Sequence, residues 1–256
     1  ALLCLAVFWD IGGPTRDERF SMIGSLAFIT TNQLMLTFMG TIGLFQMERA
    51  VFLREQSSAM YDVFPYFNAK TLAEMPLLTI TPLIFTIIVY FGVGFNWTVE
   101  GFFMFFFSLW CLVMSAVSLG YFVSSLFSNF SIAAMIAPIL MMPFMLFSGF
   151  YVNLNTLLDW IAWFKWINPL KYSLEALCAN QWQYDRYENP EAFDILKFSG
   201  MSFGLYNSII CMLILSGFFR ISAFFALKGL IQSFNEYQFK TQFFIVKMGF
   251  WGFGVL

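Results

Sequence analysis

The chain has 256 residues, of which 60% are hydrophobic and 11% charged, with a formal net charge of -2 and a mean hydropathy of +0.75. That balance excludes an ordinary soluble domain, and the absence of any basic run leaves no footprint for nucleic acid. With no histidine present, the usual metal clusters, haem ligation and Ser-His or Cys-His nucleophiles are excluded, so neither a metal site nor a catalytic residue is expected.

The sequence contains no G-x-x-x-x-G-K-[ST] phosphate loop, so any ATP is handled elsewhere and the chain holds no cofactor of its own. Of the four cysteines, Cys4, Cys111 and Cys211 lie in apolar runs and Cys178 beside a polar loop, a distribution that suggests no disulfide pair. Several apolar stretches reach the roughly 20 residues a helix needs to cross a ~30 Å hydrocarbon core. None alternates with the period of an outer-membrane barrel. The class expected is an all-α membrane protein.

In chain order, Ala1 to Trp9 is too short to span and lacks the basic start of a signal peptide, and reads as a truncated first helix. The polar loop DIGGPTRDER leads into a second span from about Phe20 to Phe45. The stretch from Gln46 to Lys70 mixes charge with Val51, Phe52, Met60 and Val63 at partly helical spacing. It is expected to be a cytosolic amphipathic helix. A third span, about Thr71 to Phe95, contains Pro76 and Pro82 and is expected to kink. The fourth and fifth, about Phe102 to Leu126 and Ile132 to Tyr151, are separated only by FSNFS and must form an antiparallel hairpin. A last span covers about Phe203 to Leu227, with Arg220 expected to snorkel toward an interface. Six spans result, the first incomplete.

Trp160, Trp163 and Trp166 recur at i, i+3, i+6 with Lys165 among them, the pattern of a short helix at the headgroup level, which Pro169 is expected to end. Counting Lys and Arg does not orient the chain: Arg49, Arg54 and Lys70 mark one loop, Arg16 and Arg19 the one before it.

FITTNQ in the second span, ERAVFLREQ and PYFNAKTLAEMP in the connection, FSGFYVN closing the fifth span, WFKWINPLKYSLEAL after it and FRISAFFALK in the last span occur in one order. In that order they resemble the transmembrane domain of a White-type half-transporter of the ABC transporter G subfamily. The resemblance covers nearly the whole chain apart from its tail. It implies a six-helix ABC-2 type domain over residues 1–230, with a cytosolic coupling helix and an extracellular re-entrant helix after the fifth span. It also implies a nucleotide-binding domain, with its ATP and Mg, ahead of this segment on the same polypeptide, and a second half-transporter that completes a central cavity. The tail, residues 231–256, has no counterpart in the resemblance.

Phe28, Asn32, Met35 and Met39 follow i, i+4, i+7, i+11 on one helix face, and Met142 and Met145 share a face of the fifth span. They match positions from which the family builds its substrate cavity, and methionine suits an adaptable apolar wall. Ordinary helix packing is the competing reading for the methionines, whereas Asn32 is a polar group in hydrocarbon. Phe150 and Tyr151 fall where the family places a bulky pair that seals the cavity, although the best-studied pattern there is two leucines. Arg49, Arg54 and Glu55 lie in the connection that in this family rests on the nucleotide-binding domain, and are assigned to coupling; a solvated helix face is the alternative.

The function expected is export of lipid, sterol or other apolar or amphipathic cargo by alternating access, in a plasma or organelle membrane. A channel or an ATP-independent secondary transporter is the alternative. A channel calls for a polar stripe or charged ring. A secondary transporter calls for mid-span carboxylates or repeated halves, and Glu74 and Glu100 are placed at span ends. Of two N-x-[ST] acceptors, Asn96 is expected outside and open to glycosylation, Asn129 in the cytosolic link.

Overall fold

The computed structural model of the chain describes residues 2–9, 16–58, 60–95, 98–127, 129–182, 200–201 and 203–252. Its elements are α1 (Leu2–Val7), α2 (Arg16–Ser57), α3 (Val63–Val93), α4 (Val99–Leu126), α5 (Phe130–Leu146), α6 (Phe164–Ile167), α7 (Pro169–Trp182) and α8 (Leu205–Gly252). Among the described residues, four helices are long and apolar enough to cross a membrane: Phe20–Gln56, Val63–Val93, Val99–Leu126 and Leu205–Phe234. The shorter apolar helix Phe130–Leu146 joins them.

The connection after the second span is not a separate amphipathic helix. α2 continues into it as far as Ser57, 42 residues in all, a length of about 63 Å at the helical rise. Glu48, Arg49, Leu53, Arg54, Glu55 and Gln56 are strong helix formers, so the charges that end the apolar run do not end the helix. The chain breaks near 58–62, and α3 restarts behind the extended N-cap Asp62. Pro65 falls in the first turn, where a missing N–H costs nothing, and α3 ends on Gly94 at φ 79°, the left-handed C-cap that glycine adopts without strain.

α4 is the central element. It opens on Thr98, whose hydroxyl accepts from the Gly101 N–H at 3.2 Å, with Glu100 in the first turn where the helix dipole favours an acid. It packs against α2, α3, α7 and α8 and is the most buried of the spans, whereas α3 and α8 turn most of their surface outward. Small residues permit the close packing: the Ser115 hydroxyl donates to the Cys111 carbonyl at 3.0 Å and to Met212 of α8 at 3.3 Å, and the Ser118 and Ser216 hydroxyls lie 3.5 Å apart. A Cβ built on Gly120 would stand 2.8 Å from Thr41 Cβ and 3.3 Å from the Phe38 carbonyl, so the crossing of α2 and α4 requires glycine there.

α5 ends at Leu146, earlier than the predicted Tyr151, and its 17 residues reach about 25 Å. Beyond it, the tryptophan band is mostly turns with only the four residues of α6 helical. Pro169 does not merely end that band. It opens α7, the first-turn position proline favours, with the Asn168 carboxamide oxygen accepting from Leu170 N at 3.0 Å. The last helix runs unbroken from Leu205 to Gly252, past the predicted end of its span at Leu227.

Candidate functional site

The α2 face proposed for cargo is graded in exposure. Phe28 is 41% exposed and touches Phe8 ring to ring at 6.0 Å, Asn32 is half-buried, and Met35 and Met39 lie partly buried against the core. Further along α2 the outward side is carried by Leu36, Leu44 and Met47. On α5, Met142 is 64% exposed, in line with Met135, Ile139 and Leu146, while Met145 packs partly buried against the core. α2 and α5 pack on one another. Phe28 and Met142 are thus exposed, and Asn32 half-buried, on two helices that pack together.

Phe150 and Tyr151 lie past the end of α5. The Phe150 ring packs against Phe20 at 6.3 Å and over the backbone at Gly24, where a Cβ would be 3.8 Å away. The aromatic pair meets edge to face at 5.1 Å, and Tyr151 is 55% exposed. Phe150 therefore closes on the start of α2 while Tyr151 projects from it. Asn168 fixes the same end of the bundle, its Nδ2 donating to the Phe144 carbonyl at 2.7 Å.

The three residues assigned to coupling separate. Arg49 is buried and donates to the carbonyl of Phe127 at the C-terminus of α4; Gln46 Nε2 reaches the same carbonyl at 2.8 Å and that of Ser124 at 3.0 Å. Those carbonyls lack helical donors, so cationic and amide donors satisfy them. Arg54 is exposed. Glu55 accepts from the Tyr61 hydroxyl at 2.5 Å, and Gln56 Nε2 donates to the Tyr61 carbonyl at 3.0 Å, tying the turn back onto α2. Partial burial, then the hydrogen bond and charge of Glu55, push the Tyr61 hydroxyl above its ordinary range.

A second polar centre joins four helices at this end. Lys70 of α3 pairs with Glu48 of α2 and, at 3.1 Å, with Glu74 one turn on. Glu74 also accepts from the Tyr121 hydroxyl of α4. Arg220 of α8 does not snorkel outward: its Nη1 donates to Thr71 Oγ1 at 2.9 Å, with the guanidinium 5.7 Å from the Tyr121 ring and 5.8 Å from Phe67. Glu74 is the twelfth residue of α3 rather than a residue at a span end. Sequence reasoning missed this centre, although Lys70 and Glu74 at i, i+4 and an arginine inside an apolar run were the signals for it.

A helix was expected after the fifth span, but on the tryptophan band and ending at Pro169; α7 instead begins there and is buried along almost its whole length. Lys171, 2% exposed, sits among the rings of Trp166 at 5.1 Å and Tyr172 and Phe203 at 4.8 Å. Glu175 accepts from the Phe203 N–H just ahead of α8, and Asn180 Nδ2 donates to the Gly101 carbonyl of α4 at 2.9 Å. Trp160, Trp163 and Trp166 stay exposed, as a headgroup-level band would be. Asn96 lies outside the described residues; Asn129 is the N-cap of α5.

Long apolar helices around a close-packed α4 define a multi-pass membrane domain. The chain belongs to the ABC-2 type transporter family, matching it over residues 1–182, and within it to the transmembrane domains of the G subfamily. It is 31% identical over 183 residues to "ABC transporter G family member 1" of Dictyostelium discoideum, covering 70% of this chain and 23% of that protein. It is 33% identical over 159 residues to "Protein white" of Drosophila melanogaster, covering 62% and 23%. To the "Broad substrate specificity ATP-binding cassette transporter ABCG2" of Mus musculus it is 32% identical over 181 residues, covering 70% and 27%. The chain spans about a quarter of the length of each of these three relatives.

Proposed function

We propose that this chain is the membrane-spanning half of an ATP-driven exporter, moving apolar or amphipathic cargo such as lipids or sterols by alternating access. Residues 1–230 form the transport domain. Phe28, Asn32, Met35, Met39, Met142 and Met145 form its wall of the cavity, Phe150 and Tyr151 the outer seal, and Arg49, Arg54 and Glu55 the coupling region. A second half-transporter faces α2 and α5 across that cavity, and a nucleotide-binding domain bears on the turn held by Glu55 and Tyr61. The sequence contains no phosphate loop, so in this reading ATP and Mg are bound by the nucleotide-binding domain rather than by this chain. The membrane is the plasma membrane or that of an organelle.

The reading is supported by exposed apolar side chains on both α2 and α5, Phe28 and Met142 among them, and by the half-buried Asn32 on α2. A partly apolar wall with few polar groups selects low-charge cargo. Paired binding and ATPase assays on the reconstituted full-length protein test it. Asn32→Ala is expected to alter cargo affinity about tenfold, the ~1–2 kcal/mol of a lost hydrogen bond, while basal hydrolysis persists. Glu55→Ala is expected to leave cargo binding intact and to separate transport from hydrolysis. Loss of binding in Glu55→Ala, with normal cargo-stimulated hydrolysis in Asn32→Ala, would reverse both assignments.

A further inference from the structure

The chain leaving α5 and the chain entering α8 meet at Leu154. That side chain is 3% exposed, although Asn155 and Thr156 beside it are exposed. A turn closed on Asn153 presents it: Asn153 Oδ1 accepts from the Asn155 N–H at 2.9 Å, and the Asn153 carbonyl from the Thr156 N–H at 3.2 Å. Two glycines shape its seat. At Gly149, φ 94°, a Cβ would stand 3.2 Å from Leu154 Cδ1 and 3.0 Å from Met201 Cε. At Gly200, φ 76°, a Cβ would stand 2.9 Å from that of Leu154. Both positions thus call for glycine twice, by backbone conformation and by space.

The far side of this seat is anchored. Beyond Gly200 and Met201, the Phe203 N–H donates to Glu175 of α7, and the Phe203 ring meets Trp166 at 5.6 Å and Tyr172 at 6.0 Å, with Lys171 Nζ 4.8 Å from its centre. The near side carries Phe150 and Tyr151, which follow Gly149 directly. Gly149 and Leu154 both lie in the seat, so Phe150 and Tyr151 belong to a loop closed at its base. Such a loop moves as a unit only when the base opens.

We propose that Leu154 is a positioning residue that latches Phe150 and Tyr151 to the buried α7 through the socket of Gly149, Gly200 and Met201, and that the outer seal opens when Leu154 leaves that socket. The inference rests on the reading of Phe150 and Tyr151 as the seal and adds what holds them shut. An aliphatic side chain in a fitted socket is weakened from either side: truncation leaves a cavity, and a methyl on a socket glycine takes the space.

Spin-label distances in the reconstituted full-length transporter test it, with Tyr151→Cys on the seal and Val99→Cys at the start of α4, both exposed positions. In the otherwise unaltered protein, trapping with ATP and vanadate is expected to lengthen the separation. Leu154→Ala is expected to raise the long-distance fraction without nucleotide at least about threefold. Gly200→Ala, on the far side of the socket and remote from the seal in sequence, is expected to do the same. Leu154→Met, which conserves volume, is expected to keep the unaltered distribution. If Leu154→Ala does not fold, Leu154→Val is expected to show the same change at smaller amplitude. An unaltered nucleotide-free distribution in the truncated or Gly200→Ala variants, with only the unfolding midpoint lowered, would make the contact ordinary packing and overturn the latch. Failure of trapping to lengthen the separation in the unaltered protein would instead overturn the seal itself, and the latch with it.

Discussion

Glu74 has more depending on it than its sequence surroundings suggest, because it is shared between the Lys70 ammonium and the Tyr121 hydroxyl. Glu74→Ala leaves the Tyr121 hydroxyl without its acceptor and the largely buried Lys70 with Glu48 alone, and about 2 kcal/mol of destabilisation is expected. Glu48 meets the same lysine from a side chain that is half exposed, so Glu48→Ala is expected to cost no more than about 1 kcal/mol. Thermal unfolding of the two variants in detergent should rank them in that order. Tyr61 supplies a pH test. Its hydroxyl pKa is raised in the fold relative to about 10 in the unfolded chain, so its contribution is intact below about pH 10 and declines as pH rises further. Stability measured from pH 8 to pH 11 should therefore fall more steeply in the parent than in Tyr61→Phe, and equal slopes would remove the assigned shift. Asn32 could be singled out because a polar group in an apolar run stands out, whereas Glu55, in the charged stretch ERAVFLREQ, was singled out by the resemblance; their roles are what the paired binding and ATPase assays test. Lys171 and Glu175 were not singled out, because their burial depends on rings and backbone brought from Trp166, Tyr172 and Phe203.

At the scale of elements, the apolar runs gave the spans of α2 to α5 and α8 within a few residues at most ends, since hydrocarbon demands internally bonded helices wherever the chain is apolar. Two elements escaped that logic. The continuation of α2 to Ser57 is set by helix propensity and by the grip of Gln46 and Arg49 on α4 rather than by apolarity. α7 carries too many polar groups to read as a span, and those groups find partners only in the folded bundle. The meeting of α2 and α4 gives a contrast of two glycines. Gly120→Ala drives a methyl into Thr41 and the Phe38 carbonyl, and a loss of about 1–3 kcal/mol is expected. Gly217→Ala on α8 meets nothing within 4 Å and is expected to be neutral or to stabilise by up to about 1 kcal/mol. Midpoints of thermal unfolding for both, against the parent, check the pair.

Across the described residues, α4 forms the buried centre, α3 and α8 present broad apolar flanks, and α2 and α5 pack together with Met142 exposed and Asn32 half-buried. All of these outward surfaces are apolar, so exposure alone does not separate a lipid-facing side from a cargo-facing one. In the proposed transporter the cargo-facing side is marked by Asn32, by the aromatic pair Phe150 and Tyr151 beyond α5, and by the direct run of α2 to the Glu55 turn. A photoactivatable sterol probe in membranes containing the full-length transporter makes the distinction directly. Labelling at Phe28, Asn32 and Met142 is expected to be displaced by excess unlabelled sterol and lost on trapping with ATP and vanadate, while labelling on Ile84 of α3 and Ile221 of α8 is unaffected by either. Competed, nucleotide-sensitive labelling confined to α3 or α8, with none on α2 and α5, would contradict the central claim.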